Sequence, residues 1–451
     1  MIGLLLSCIH FGVRGDNTFL QWTARGSLLD DDVRVGDPKT LQIIPPPKAL
    51  LNAGLRMIFY SNANVFAPEI RTDYFSDPRP SFFASVTFAV AGNYTIRLLY
   101  PANLAQGELS GWQILIHVSM PSTRVPFAQP VAVCATTSNL RRGQWFKCSE
   151  LMISLDNCVD DWVWIPDDCR YQFHSVRQLL NVRNTRPLWI AFLGDSRTRG
   201  LFLYILHQLL PTHDESLLVK KVWGFLDYKH ANVRLTWRDL RGFSSGNKVL
   251  DETSAKVRVD LADLLTDNDG FHPDYIIAQK GLDFLPMFNA RTILLQGWEW
   301  YVITRDGVLM NSLVGDYTTA ALYAQLYNVS IIETDNILFP MVRELCSEYP
   351  THHIHMHTAC GGEIRGLVNQ IIANIIVSLI LKEVGISASA ATVDDDRIAN
   401  FTFCFAGTLE FSPQYSFDLP AAKCQSRKFY HIPACKWQGC STNTFVYNRR
   451  L

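Results

Sequence analysis

The chain has 451 residues, 48% of them hydrophobic, and its 41 Lys and Arg residues nearly balance 42 Asp and Glu residues. This composition is typical of a globular protein with material for two or three domains. The near-zero net charge and the lack of Lys/Arg-rich runs argue against a nucleic-acid-binding protein.

The N-terminal segment, MIGLLLSCIHFGVRG, has three open interpretations. Its apolar stretch at residues 2–13 would form the core of a short signal segment over residues 1–14. It lacks a basic leader and a clean small-x-small cleavage site, so it would equally form a β-strand or be the truncated start of a longer protein.

Short alternating patterns dominate residues 1–145. SFFASVTFAVAGNYTIRLLYP and WQILIHVSMPS each alternate apolar and polar residues and are bounded by Gly, Asn or Pro turns. Several short strands without long helical patterns predict a β-sandwich domain.

Strand-like and helical patterns alternate over residues 150–390. PLWIAFLGDSRTRGLFLYILHQLL predicts a buried strand that ends at Gly194 and a helix from Ser196 to Leu210. PDYIIAQKG and NVSIIETD predict further strands, and YTTAALYAQLY and GEIRGLVNQIIANIIVSLILKEV predict helices. This order indicates an α/β domain with a mainly parallel sheet, followed by a loop-rich, Cys-rich tail at residues 391–451.

The last predicted helix is also the second membrane candidate. It is barely long enough to span a bilayer, and Gln370 and Asn374 lie on one helix face. We therefore expect a buried amphipathic helix and no transmembrane segment.

Eleven cysteines lie in widely spaced clusters with no CxxC pair, which favours disulfides over zinc. N-glycosylation sequons begin at Asn93, Asn328 and Asn400. Together these features predict a protein of the secretory pathway, in the Golgi lumen or outside the cell.

The tripeptide Gly194-Asp195-Ser196 separates the predicted strand from the helix. Ser196 at the carboxyl end of a strand would be an exposed nucleophile beside the free N–H groups of a helix start. Asp195 and Ser196 would equally be helix-capping residues. The tripeptide alone does not decide between these interpretations.

The surrounding residues resemble a known family. FLGDSRTRGLF resembles the GDS block of SGNH hydrolases, above all the Gly-Asp-Ser-x-x-Arg block of the PC-esterase family, through Gly194, Asp195, Ser196 and Arg199. WVWIPDDC, at residues 162–169, is similar to that family's Trp/Pro/Cys lead-in. A β-domain ahead of the esterase domain resembles the NXPE (neurexophilin and PC-esterase) branch, whose β-domain is immunoglobulin-like.

The resemblance implies roles for further residues. HHIH matches the family's Asp-x-x-His motif, with His355 as the general base and His352 in the place of the carboxylate. Gln279 and Gly281 of AQKG stand where the family has Asn-x-Gly, whose Asn donates to the oxyanion. Asp335 would replace the missing carboxylate if the fold brings it near; otherwise a backbone carbonyl would orient His355.

The activity implied by the resemblance is O-acyl transfer, above all O-acetyl transfer, to or from a carbohydrate or glycoconjugate. Ser196 would form an acyl-enzyme, His355 would move its proton, and Arg199 would be structural; no metal or organic cofactor is implied. The alternative is a catalytically inactive esterase fold that acts as a secreted glycan-binding or interaction protein, which the substitutions at His352 and Gln279 favour.

Two other motifs compete with this interpretation. GFSSG matches Gly-x-Ser-x-Gly around Ser244, but NKVLDET does not predict the helix that a nucleophile elbow needs, so we expect a surface turn. HHIHMH would place His353, His355 and His357 on one face of a strand, where they could bind zinc. No Asp or Glu lies within that cluster, and we expect no metal site.

Overall fold

The computed structural model describes the following residues: 8–15, 18–29, 32–44, 56–73, 81–99, 113–120, 132–134, 142–151, 158, 161–170, 174–182, 186–194, 196–209, 221–229, 232–239, 265–266, 270–278, 290–296, 301–304, 307–310, 329–334, 337, 340, 367–387, 400–410 and 444–448. They form a mixed α/β structure with several sheets, many strands and few helices.

Strands account for most of the described secondary structure. In chain order they are β1 (Cys8–Gly15), β2 (Thr18–Arg25), β3 (Val33–Arg34), β4 (Pro38–Ile44), β5 (Arg56–Tyr60), β6 (Asn64–Phe66), β7 (Ile70–Asp73), β8 (Ser81–Thr87), β9 (Gly92–Leu99), β10 (Gln113–Ser119), β11 (Gly143–Lys147), β12 (Trp162–Pro166), β13 (Leu188–Gly194), β14 (Lys221–Lys229), β15 (Val233–Asp239), β16 (Tyr275–Ala278), β17 (Arg291–Gln296), β18 (Tyr301–Thr304), β19 (Gly307–Met310), β20 (Ser330–Glu333), β21 (Asn400–Glu410) and β22 (Thr444–Asn448). The helices are α1 (Cys148–Leu151), α2 (Ser196–Leu209) and α3 (Leu367–Glu383), with short 3₁₀ helices at Ser27–Leu29 and Val176–Asn181.

The chain divides into two compact units. The first comprises residues 1–171, 297–320 and 333–359, and the second comprises residues 172–296, 321–332 and 360–451.

The first unit contains two sheets that share one hydrophobic core. Their strand orders are β1-β2-β4-β8-β7 and β12-β11-β6-β5-β9-β10-β3. Alternate residues of β8 and β9 point inward, as the alternating sequence pattern predicts. Buried side chains from both sheets meet in the core, among them Leu41, Phe82 and Val86 from the first sheet and Phe59, Tyr94 and Ile116 from the second.

Two disulfides lie in the first unit. Cys134 is bonded to Cys169, and Cys148 to Cys158. The prediction of disulfide pairing is confirmed for these four cysteines; the side chains of the other seven lie outside the described residues. Such bonds stabilise a folded chain mainly because they restrict the unfolded one.

The second unit is built on an eight-stranded sheet of order β20-β17-β16-β13-β15-β14-β21-β22. Strands β15, β13, β16 and β17 are parallel neighbours, as predicted. Strands β14, β21 and β22 are antiparallel, so the expectation of a mainly parallel sheet holds only for the centre. The connection from β14 to β15 is too short for a parallel crossover, which needs a dozen or more residues.

The C-terminal region contributes strands to this sheet. We expected residues 391–451 to form a loop-rich tail, but β21 pairs with β14 along nine residues and β22 pairs with β21. The rest of that region lies outside the described residues, as does the predicted helix YTTAALYAQLY.

Helix α3 forms as the sequence predicts and is buried along most of its length. Gln370 and Asn374 lie on its partly exposed side. Within the described residues, no helix combines the length and apolar character needed to cross a bilayer.

Candidate functional site

The site begins where β13 passes into α2. Every residue from Leu188 to Gly194 is buried, because this strand lies at the centre of the sheet. Helix α2 starts at Ser196, two residues after the strand ends. The strand is therefore followed closely by the helix, as the sequence predicts, with Ser196 in the first turn of the helix.

Three parallel strands end at the same edge of the sheet. Gly194 of β13 is in register with Asp239 of β15, and Leu193 is in register with Ala278 of β16. Ligand sites of open α/β sheets occur at this carboxyl edge. Gln279 is the next residue in the chain after Ala278, and it lies outside the described residues.

The start of α2 favours negative charge. The first N–H groups of any α-helix have no acceptor within the helix, and the helix dipole places positive potential there. An oxyanion that develops next to Ser196 would therefore meet backbone donors. Asp195 and the side chain of Ser196 lie outside the described residues.

Arg199 anchors the first turn of α2 to the sheet. Its side chain is buried, and its guanidinium carbon lies 5.8 Å from the centre of the Trp237 ring on β15. A buried cation over an aromatic ring gains from the quadrupole of the ring. This contact fixes the helix start relative to β15.

A hydrogen bond also joins the two helices. Tyr204 of α2 donates its hydroxyl proton to Asn374 Oδ1 of α3, with 3.5 Å between the oxygens. Burial raises the pKa of Tyr204 to about 12, so the hydroxyl keeps its proton at neutral pH. Tyr204 therefore holds α2 against α3 and is no proton acceptor.

A buried charged cluster lies in the middle of the same sheet. Arg234 of β15 donates from Nε and Nη2 to the two carboxylate oxygens of Asp227 on β14, at 2.9 and 3.1 Å. Thr236 Oγ1 donates to Asp227 Oδ1 at 2.9 Å and accepts from Trp189 Nε1 at 2.8 Å. The Arg234 guanidinium also stacks on the Trp189 ring, 3.8 Å from its centre.

The sequence alone predicts neither this cluster nor a role for Asp239. VRLTWRD alternates apolar and polar residues and so predicts a strand, but charged residues in such a strand normally indicate a face that is exposed to solvent. The cluster lies near the amino ends of β13 and β15, at the opposite edge of the sheet from Ser196, and the described contacts of the Asp227 carboxylate are all with groups that hold it in place. We therefore assign it to the support of the sheet.

The predicted site residues are described to different extents. Gly194 ends β13, Ser196 begins α2, and Arg199 is buried behind the turn. The following predicted residues lie outside the described part of the chain: Asp195, Ser244, Gln279, Gly281, Asp335, His352, His353, His355 and His357. Whether the histidines approach Ser196 thus stays a prediction.

The described residues contain no group of three or more His, Cys, Asp or Glu side chains placed to hold a metal ion. The histidine-rich segment HHIHMH is not among them. No protein-family model matches the chain.

Proposed function

We propose that the second unit carries an O-acyltransferase or esterase site of the SGNH type, with Ser196 as its nucleophile. The observation that supports this most is the position of Ser196 at the start of α2, two residues after Gly194 at the carboxyl edge of the parallel strands. The substrate class, an O-acylated, above all O-acetylated, carbohydrate or glycoconjugate, comes from the resemblance of Gly194, Asp195, Ser196 and Arg199 to the PC-esterase block.

The chemistry proceeds in two steps. Ser196 Oγ attacks the acyl carbonyl carbon while His355 takes the serine proton, and the negative charge moves to the carbonyl oxygen. Backbone N–H groups at the start of α2 and the Gln279 amide donate to this oxyanion. The intermediate collapses to an acyl-enzyme, and the leaving alcohol receives the proton from His355.

The second step repeats the first in reverse order. His355 removes a proton from water or a sugar hydroxyl, whose oxygen attacks the acyl carbon; the bond from that carbon to Ser196 Oγ then breaks, and His355 returns the proton to Ser196 Oγ. His352 orients His355 but carries no negative charge when neutral, so it stabilises the imidazolium less than a carboxylate would.

We further propose that the second unit has the SGNH arrangement and the first an immunoglobulin-like sandwich. A parallel sheet centre with the serine after one of its strands supports the former. Two sheets of mostly antiparallel strands around one core support the latter. The two disulfides support a place in the secretory pathway, because such bonds persist in oxidising compartments.

Labelling with a serine-directed fluorophosphonate tests the nucleophile. We expect wild type to be labelled, Ser196→Ala to lose the label, and Ser244→Ala to keep it. The label should map to the peptide that contains Ser196 by mass spectrometry. Folded wild type that never labels would overturn the enzyme proposal and favour the inactive glycan-binding alternative, whereas loss of label only in Ser244→Ala would move the site to GFSSG.

The histidine roles are tested by turnover of an O-acetylated substrate such as p-nitrophenyl acetate. His355→Ala should lower turnover by about 10² to 10⁴, the usual contribution of a general base. His352→Ala should cost less, and His352→Asp should raise turnover because a carboxylate stabilises the imidazolium. Equal losses in both alanine variants together with bound zinc in wild type would contradict these roles.

A further inference from the structure

A second candidate binding site, a cavity, lies in the first unit. A cavity of about 880 Å³ opens beside β8, with β11 and the segment after β12 on its other side. This volume falls in the range of small-molecule sites, which is roughly 300–1,000 Å³.

One wall of the cavity is a strand edge that lacks a neighbour. Strand β7 pairs with β8 only as far as Ala84, so in the described part of the chain no strand covers that side of Ser85. The partner of Ser85 on β4 is Thr40, whose N–H turns away to Ser27 Oγ at 3.0 Å. Thr40 and Ser85 therefore form a non-hydrogen-bonded pair, in which each residue turns its backbone groups away from the other, so the Ser85 N–H and C=O face the cavity side.

Gln144 carries an unused acceptor at the same wall. Its Nε2 donates to Thr87 O at 3.3 Å and to Asp167 Oδ1 at 3.4 Å, and both of these residues line the cavity. The residue is only 8% exposed, and Oε1 has no hydrogen-bond partner among the residues that the structure describes. A buried amide oxygen without a donor is costly, so a donor from a ligand would be stabilising there.

The charges of the wall disfavour an anionic ligand. Glu69 is bonded to Arg142 and lies 3.8 Å from Arg71, so both guanidinium groups already face a carboxylate. Asp167 and Asp168 are exposed and stand side by side. Although much of the Asp167 residue is exposed, the surrounding wall desolvates its carboxyl, and this raises the pKa of that carboxyl above its usual range despite the hydrogen bond from Gln144.

The wall thus offers acceptors and donors together: two carboxylates, an amide oxygen and a backbone N–H. A cationic ligand would offer no acceptor atom to the Ser85 N–H. An anionic ligand would be repelled by the carboxylates of Asp167 and Asp168. Each sugar hydroxyl both donates and accepts hydrogen bonds, so the several hydroxyls of one saccharide provide partners for all of these groups. The open edge is too short for an added peptide strand, since Gln144 already occupies Thr87 O.

We propose that this cavity is a binding site for an uncharged saccharide, held by Gln144, Asp167, Asp168 and the open backbone of Ser85. The site belongs to the first unit and is independent of the acyl-transfer chemistry assigned to Ser196. It would give the protein a glycan contact separate from any catalytic one.

Binding is tested with the full-length protein and disaccharides of defined charge. Lactose, maltose and diacetylchitobiose are the neutral probes, with sialyllactose as the anionic and spermidine as the cationic comparator. Saturation-transfer NMR and calorimetry should show at least one neutral disaccharide with a dissociation constant of about 1 mM or tighter. We expect sialyllactose and spermidine to bind more weakly.

Two cavity variants locate the site. Gln144→Met and Asp167→Asn should each weaken disaccharide binding by about tenfold or more, and the second variant preserves shape if the first misfolds. Glu150→Gln, an exposed carboxylate change outside the cavity, should leave binding intact. Fluorophosphonate labelling should persist in both cavity variants, and Ser196→Ala should retain disaccharide binding, so the two proposals fail independently.

Three results would overturn the saccharide site. One is the absence of binding for all three neutral disaccharides. Another is tighter binding of spermidine or sialyllactose than of every neutral probe. The third is neutral binding that survives unchanged in folded Gln144→Met and Asp167→Asn.

Discussion

At the scale of single residues, the buried pair of Asp227 and Arg234 shows how charge is accommodated inside the second unit. Two hydrogen bonds join the side chains, and their exposures are 2% and 7%. Taking both charges out of water is costly, and the pair persists because Thr236 and Trp189 supply further contacts. Loss of one partner would leave the other charge unpaired in the sheet.

We therefore predict that Asp227→Ala lowers the free energy of unfolding by about 3–5 kcal/mol, measured by urea denaturation. The control is Asp32→Ala, which removes the partner of Arg34 in an exposed pair. Solvent screens that pair, so this variant should change stability little. Similar losses in the two variants would contradict the role assigned to burial.

The sequence predicted some single residues and not others for a physical reason. Ser196 was identified because a helix start after an apolar run is a local pattern. Asp227 was not, because nothing in FLDYK indicates that Arg234 will neutralise it from the neighbouring strand. Pairing between strands is set by register, and register appears only when the sheet is assembled.

At the scale of elements, the local patterns predicted β13, α2 and α3 closely. The sequence placed the first helix at residues 196–210 and the structure ends it at Leu209. The sequence did not predict the antiparallel margin of the sheet. The partner of β21 is β14, which is far away in the sequence, and the residues around β21 have a pattern typical of loops. A strand of this kind is stabilised by its neighbour more than by its own propensity.

The Ser378 hydroxyl of helix α3 holds the chain segment that precedes β13. The His174 backbone N–H donates to Ser378 Oγ at 2.9 Å, and the His174 ring donates from Nε2 to Ile386 O at 3.0 Å. Both His174 and Ser378 are buried. The hydroxyl therefore satisfies a backbone donor that water does not reach.

We predict that Ser378→Ala leaves this N–H without an acceptor and costs about 1–3 kcal/mol. Hydrogen–deuterium exchange should show the faster exchange at the His174 amide, and urea denaturation the lower stability. Ser149→Ala, which removes an exposed hydroxyl, should have a much smaller effect. Unchanged exchange at His174 would show that the hydroxyl does not carry this contact.

At the scale of the whole molecule, the two units differ in how they are stabilised. Both described disulfides lie in the first unit, whereas the described core of the second is a sheet covered by α2 and α3. The cysteine spacing predicted that disulfides form, but not which cysteines pair, because pairing depends on which strands bring the sulfurs together.

The two disulfides close loops of different length, with sequence separations of 35 and 10 residues. In the chain-entropy description, the longer loop contributes more stability, by about 1 kcal/mol. We predict that the double variant Cys134→Ala/Cys169→Ala is destabilised by that much more than Cys148→Ala/Cys158→Ala, as measured by urea denaturation under non-reducing conditions. An equal or reversed order would contradict the entropic account.

The pairing of β14 with β21 also governs when the second unit can finish folding. Lys221 pairs with Glu410 and Lys229 with Thr402, so the margin of the sheet waits for residues that the ribosome makes long after β14. Until then, the outer edge of β14 is an open template for pairing with other chains. A nascent chain of this protein therefore keeps that edge uncovered until β21 has been made, and contacts of such long range form slowly. Chaperones that shield strand edges would bind this chain in the interval before β21 is made.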